Sequence, residues 1–262
     1  MNLYVNLLLN EWIKLKSSMA FILMSALYLL VLPLAFFYFQ NSYVEFQGLE
    51  IEAGEIFTLT NQNIWYFITY FASYLHYLFV IVILTNTSSD VTSGLWKQHV
   101  IDGLDRHHLV TSKLMIMGLV SVIASIFLFV CGTIMIQFID IAEGDGSQVQ
   151  VLSIIALYGL QMFGYMMVAL LINLFLKSTG ISLIFLLAWA ILLERVIRFL
   201  DKSDITNYLF ITAFDTLLTH PFIELFMGYD PFYPTLTAVA VSLAWIGIFA
   251  GIAYWKVGKE DL

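Results

Sequence analysis

The sequence predicts an all-α integral membrane protein, a single transmembrane domain over residues 1–262 with six transmembrane helices. Three observations predict this class. Hydrophobic residues make up 61% of the chain and charged residues only 11%, whereas a soluble domain carries about 25% charged residues to cover its surface. Apolar stretches recur at close to the roughly 20 residues that a helix needs to cross about 30 Å of hydrocarbon. Those stretches are apolar all round, while a membrane barrel strand alternates apolar and polar over about ten residues.

The expected spans are Met19–Phe39, Ile64–Thr85, Leu114–Phe138, Val151–Leu176, Ile181–Leu200 and Thr235–Trp255. The first is longer than the roughly 7–15 residues of a signal core and has no small-x-small cleavage site after it, so it is expected to be retained. The fifth is the weakest, because Glu194, Arg195 and Arg198 occupy its last two turns. Glu194 and Arg198, four apart, are expected to form a local ion pair of little energetic weight. Cys131, the single cysteine, lies in an apolar run, so no disulfide can form within the chain.

Six spans put both termini on one side. With the termini inside, eight of the 11 basic residues lie on the inner face and three outside; six acids lie inside and thirteen outside. That bias follows the positive-inside rule and places both termini in the cytoplasm of a cell (plasma or inner) membrane. Residues 1–18 are expected to form a helix lying in the inner interface. Asn2, Asn6, Asn10 and Lys14 make one polar stripe at i+4 steps, Glu11 and Lys16 add charge, and Trp12 suits headgroup depth. The outer loop Gln40–Asn63 carries four acids without a base and reads as a solvated loop. Residues 194–234 are too long for a plain connector. Ile205–Phe214 and Phe222–Met227 are apolar but too short to span, and they suit short re-entrant helices in the outer leaflet.

The most informative segment is Asn86–Lys113, 28 residues that hold Asp90, Lys97, Asp102, Asp105, Arg106 and Lys113 between two apolar runs. A charge at the bilayer centre costs about 2.5–3.5 kcal/mol, so this segment is expected to protrude into the cytoplasm. Gly94 is a natural break, Leu95–Leu104 can form a short amphipathic helix with Trp96 and Val100 on one face, and Gly103 can end it. An exposed Trp near cations is a frequent binding hot spot.

Within the spans, Ser73, His76 and Tyr77 are candidates to line a path or a dimer contact, since intramembrane ionisable groups usually face a bundle interior or cavity. The plainer alternative is a neutral His76 hydrogen-bonded to a neighbouring helix. The sequence contains no phosphate loop, no H-E-x-x-H, no paired-cysteine metal motif and no G-x-S-x-G elbow, so no catalytic, cofactor-binding or metal residue is expected. The inner face has too few cations for nucleic acid.

The segment resembles the cytoplasmic loop of the type-2 ABC exporter permeases. Their pattern is an acid, Gly-Thr-x-Lys or Gly-Thr-x-Arg, a few apolar residues, Pro, Arg three residues later, and a basic residue before the next span. Asp90, Gly94, Lys97, Arg106 and Lys113 match; Leu95 and Gly103 depart from the common Thr and Pro. The run from Asn10 to Lys16 resembles the family's opening helix. The resemblance implies a coupling helix after Gly94, seated in a cleft of a separate ATP-hydrolysing subunit. Trp96 and Val100 would be its apolar anchor, and Lys97 and Arg106 would pair with partner acids or order the loop. It further implies two cytoplasmic ATP-binding subunits, ATP and magnesium bound only there, a second permease copy or a related permease, and surrounding membrane lipid. The acidic outer face favours a cationic peptide as cargo, with lipid-like cargo equally compatible. The competing class is an ion-gradient-driven secondary transporter, which would want acids central in the spans and internal repeats; no Asp or Glu is central in any of the six.

Overall fold

Every long apolar stretch is helical where the computed structural model of the chain describes it, which is over residues 3–40, 43–46, 49–52, 61–137, 148–200, 206, 208–218 and 236–259. The order is α1 (Leu3–Ser17), α2 (Met19–Gln40), a hairpin of β1 (Tyr43–Phe46) and β2 (Leu49–Glu52), then α3 (Asn61–Thr92) and α4 (Leu95–Ile101). After these come α5 (Arg106–Ile136), α6 (Gln148–Leu176), α7 (Thr179–Ala188), a π turn (Trp189–Leu193), α8 (Glu194–Leu200), α9 (Phe210–Asp215) and α10 (Leu236–Lys259). The hairpin, with Tyr43 opposite Glu52 and Phe46 opposite Leu49, stands where the sequence suggested a plain loop. The second expected re-entrant stretch, Phe222–Met227, lies outside the described residues.

Among the described residues, four helices are long and apolar enough to cross a membrane: Trp65–Thr92, Arg106–Ile136, Gln150–Leu176 and Leu236–Lys259. A fifth span is formed if α1 and α2, which meet at a 75° bend, are taken as one. The chain therefore has the make-up of a multi-pass membrane protein with four or five candidate spans among the described residues, and the expected first span, Met19–Phe39, coincides with α2. The expected span Ile181–Leu200 is helical throughout, as α7, the π turn and α8 in unbroken succession. Its apolar helical part is Thr179–Leu193, and its geometry changes at the π turn, a local widening that often marks a functional or strained place. Glu194, just past the π turn, is buried, 1% exposed, and the helix continues beyond it to Leu200.

The core forms around α6, which packs on α3, α5, α10 and α9. Two thirds of its apolar window (67%) is buried, against 17% for α10, so α6 is the axis and α10 faces outward along most of its length. Tyr158, Met162, Met166, Ala169 and Asn173 are fully buried along it. The Tyr158 and Tyr28 hydroxyls meet at 2.9 Å, and Asn173 Nδ2 donates to the Leu84 carbonyl at 3.1 Å. These bonds give buried polar atoms partners that hydrocarbon cannot offer. A close approach holds α9: the Phe214 ring, fully buried, sits where a side chain on Gly164 would stand, 2.6 Å from an ideal Cβ there.

Both ends of the charged segment differ from the sequence reading. Helix α3 does not stop at Thr85 but runs on to Thr92, and α5 starts at Arg106 rather than Leu114. Asn86, Asp90 and Lys113 thereby become parts of helices, and only residues 93–105 remain around α4. The cause is local pairing: Asp90 and Lys113 neutralise one another across the two helices, so neither needs water.

Candidate functional site

The site is built at the end of the bundle where α1, α3, α4 and α5 converge. Gly94 has φ 70° and Gly103 φ 91°, the left-handed region that only glycine enters without cost. They bracket α4 as sharp corners, and Leu95–Ile101 makes two turns between them. Neither glycine has any atom near its Cβ position, so it is the backbone angle, and not space, that asks for glycine there.

Trp96 corrects the sequence reading. It is 3% exposed, packed in the hydrophobic core, because the corner at Gly94 swings its face inward. It fixes α4 to the bundle and is not an exposed anchor. Val100 is half-buried against the same core. The outward face of α4 is Lys97, Gln98 and Ile101, and Ile101 is 82% exposed. Arg106 orders the neighbouring chain: its Nη1 donates to the Gly258 carbonyl at 3.2 Å, placing a cation on the last turn of α10, the favourable end of the helix dipole. Beside it Thr111 and Tyr254 share a hydroxyl contact of 2.9 Å.

Below α4 the structure joins five side chains that the sequence left in two separate groups. Lys14 Nζ donates to Glu11 Oε1 at 2.9 Å and to Asp90 Oδ2 at 2.7 Å. Lys113 Nζ donates to Glu11 Oε2 at 2.9 Å and also to Asp90 Oδ2 and Asn86 Oδ1. Each carboxylate thus receives both ammonium groups, and the cluster is electrically neutral. Asp90 and Lys113 are buried, Glu11 nearly so, and Lys14 about a third exposed. Burial works against the Lys14 charge, but Glu11 and Asp90 beside it outweigh that and hold its ammonium above the ordinary lysine range. Taking one partner from such a buried pair costs about 3–5 kcal/mol, because a charge is left uncompensated. The cluster therefore fixes the register of α1 against α3 and α5.

Local sequence explains the convergence. Glu11 and Lys14 are i,i+3 on α1, and Asn86 and Asp90 are i,i+4 on α3, so each pair shares a face. Asn86 was not singled out by sequence reasoning; its i−4 relation to Asp90 was the available signal. The Trp12 ring meets Phe21 edge-on across the α1–α2 bend, at 5.8 Å, and Lys16 is exposed in the last turn of α1.

The third expected group is not part of this site. His76 is buried, its ring 4.0 Å from that of Tyr165 on α6 and 4.3 Å from that of Tyr77. The contact to the neighbouring helix is ring packing on Tyr165 and not the hydrogen bond that the plainer reading expected. Ser73 donates to the carbonyl of Tyr70 in its own helix at 2.6 Å.

Farther along the bundle, two acids hold α9: Glu194, which the sequence analysis paired with Arg198, and Asp215. Glu194 Oε1 accepts from Ile211 N at 3.0 Å and from Trp189 Nε1 at 3.2 Å; Oε2 accepts from Thr212 N and Thr212 Oγ1, each at 2.8 Å. This satisfies the first amides of α9; the expected Glu194–Arg198 pair involves a side chain, that of Arg198, that lies outside the described residues. At the other end of α9, Asp215 Oδ1 accepts from the Tyr165 hydroxyl at 2.6 Å and from Gln161 Nε2 at 3.5 Å. Among the described residues no group of His, Cys, Asp and Glu is arranged to hold a metal ion.

Residues 22–262 match the family described as protein of unknown function (DUF2705). No curated protein matches the chain.

Proposed function

We propose that this chain, which belongs to the DUF2705 family, is the membrane-spanning permease subunit of an ATP-driven exporter of the ABC type. In this reading α4 lies in the cytoplasm with both termini and receives the stroke of a separate ATPase. The observation that carries the reading is the construction of α4. It is a two-turn knob between two long apolar helices, cornered by two left-handed glycines and rooted by buried Trp96. It presents Lys97, Gln98 and an apolar Ile101 to solvent. A loop with no mechanical duty has no need of such a root, and a large aliphatic side chain in water favours a partner's pocket.

The neutral cluster beneath gives the knob a stiff link to α1, α3 and α5. A push on α4 would reach the spans through short, charge-assisted bonds and a buried indole rather than through flexible chain. The chain carries no phosphate loop, so hydrolysis would belong to two partner subunits, and a second permease would complete the path. The cargo class that suits the acidic outer loops is a peptide or a lipid-like molecule.

The test is ATPase activity that copurifies with the tagged full chain from native membranes. Ile101→Asp is expected to reduce that activity at least tenfold while the bundle keeps its thermal stability. Copurified activity unchanged by Ile101→Asp contradicts the proposal. Transport that persists without ATP and follows a proton or sodium gradient does so too, in favour of a secondary transporter.

A further inference from the structure

We infer that the α1–α2 elbow is a binding site for one acyl chain of an anionic phospholipid, with the phosphate at Lys16 and the chain between α2, α3 and α5. The inference does not depend on the exporter reading. A cavity of about 150 Å³ opens there, bounded by Trp12 of α1, Phe21 and Tyr28 of α2, Phe79 of α3, and Ala124 and Phe127 of α5. Its walls are almost wholly apolar, and an apolar cavity of this size excludes water and accepts hydrocarbon. The bilayer supplies hydrocarbon at that depth.

Two features make the occupant a phospholipid with a charged head rather than bulk lipid tails. Lys16 is exposed and carries no ion pair among the described residues, unlike Lys14 and Lys113. It stands four residues beyond Trp12 on α1, so it shares the face that roofs the cavity. The 75° bend sets α1 across the start of α2, so a cation marks the entrance while aromatic rings mark the interior. The second feature is Ser25, also on the cavity wall. Its Oγ is buried and has no hydrogen-bond partner. Ser25 lies seven residues beyond Ser18, about 10 Å along the helix from the elbow. A hydroxyl donor at that depth suits an ester carbonyl, the acceptor that a glycerophospholipid carries between its phosphate and its chain.

The test uses the full chain in nanodiscs, with lipids brominated on the acyl chain as quenchers of tryptophan fluorescence. The part of the quenching lost in Trp12→Phe reports the cavity. Brominated phosphatidylglycerol is expected to quench that part more than brominated phosphatidylcholine at equal mole fraction. Lys16→Gln should lower the preference about fivefold, the contribution of one cation near an anionic headgroup. Ala124→Phe, which fills the cavity, should abolish the Trp12-dependent quenching by both lipids; Ile123→Phe at the half-exposed rim gives the same readout should the core variant fail to fold. Equal quenching by the two lipids in the wild type, or a preference that survives Lys16→Gln, overturns the inference. Quenching undiminished in the filled variant overturns it as well.

Discussion

The two ends of the bundle handle buried carboxylates in opposite ways. At the α4 end, Glu11 and Asp90 are met by two lysines, in a ring of ion pairs that spans three helices. Around α9, Glu194 is met by backbone amides and hydroxyl and indole donors, and Asp215 by a tyrosine and a glutamine. Ion pairs between separate helices set their relative position and fail together when one member is lost. A carboxylate on amides of a helix's first turn acts locally, tying one short segment down. The α4 end thus ties three helices in one register, and the α9 end pins a short helix against the axis α6.

That contrast can be broken at either end. The largest effect is expected for Lys113→Met, which strips Glu11 and Asp90 of their most buried cation. A loss of about 3–5 kcal/mol is predicted, read as a drop in the thermal unfolding midpoint in detergent. Adding Asp90→Asn should recover part of it, since the double variant no longer buries an unpaired charge; a double variant as unstable as the sum of the singles would show that the ring is not one unit.

Next comes Glu194→Gln, expected to cost about 1–3 kcal/mol, because an amide can accept with only one of its two heavy atoms. Proteolysis near α9 should accelerate in it, while cross-links between α1 and α3 stay unchanged. Gly164→Ala should cost a comparable 1–3 kcal/mol by pressing on Phe214. Gly94→Ala sits below these at about 1–2 kcal/mol, the penalty of a left-handed residue with a Cβ. Its effect should fall on α4 alone, seen as faster amide exchange at 95–101.

The smallest effect is that of alkaline pH. The Lys14 pKa is raised on folding, so its contribution to stability is complete below the usual 10.5 and fades only as pH rises past that through the folded value. The Lys14 contribution should therefore persist through neutral and mildly alkaline pH; a loss of α1–α3 cross-linking at pH 8 that Lys14→Met abolishes would contradict it.

Much of the fold was legible because apolar length is a strong signal. Ile64–Thr85, Leu114–Phe138, Val151–Leu176 and Thr235–Trp255 were each close to a described helix, with α1 and the break at Gly94 also anticipated. Composition cannot say where a helix ends when its polar residues find partners, so α3 and α5 ran farther than hydropathy allowed. The same blindness hid the role of Glu194: it looked like a boundary charge, and only the fold brings the amides of Ile211 and Thr212 to it. At the site, Asp90, Lys113, Glu11 and Lys14 were all noticed, but in two lists, because pairing across 76 or 102 residues leaves no local trace. Trp96 was noticed with the wrong direction, since the corner at Gly94 decides which way its face turns.

The central claim is that α4 is the contact through which a nucleotide-fuelled partner works the bundle. The most direct measurement places a cysteine at Ile101 in a Cys131→Ser chain and cross-links native membranes with a short reagent. Lipid-facing Val122→Cys serves as the control. The account predicts a cross-link at position 101, absent at 122, to a protein whose peptides include a phosphate loop, with a yield that changes on adding ATP and magnesium. No phosphate-loop protein at position 101, or equal yields at 101 and 122, would contradict it.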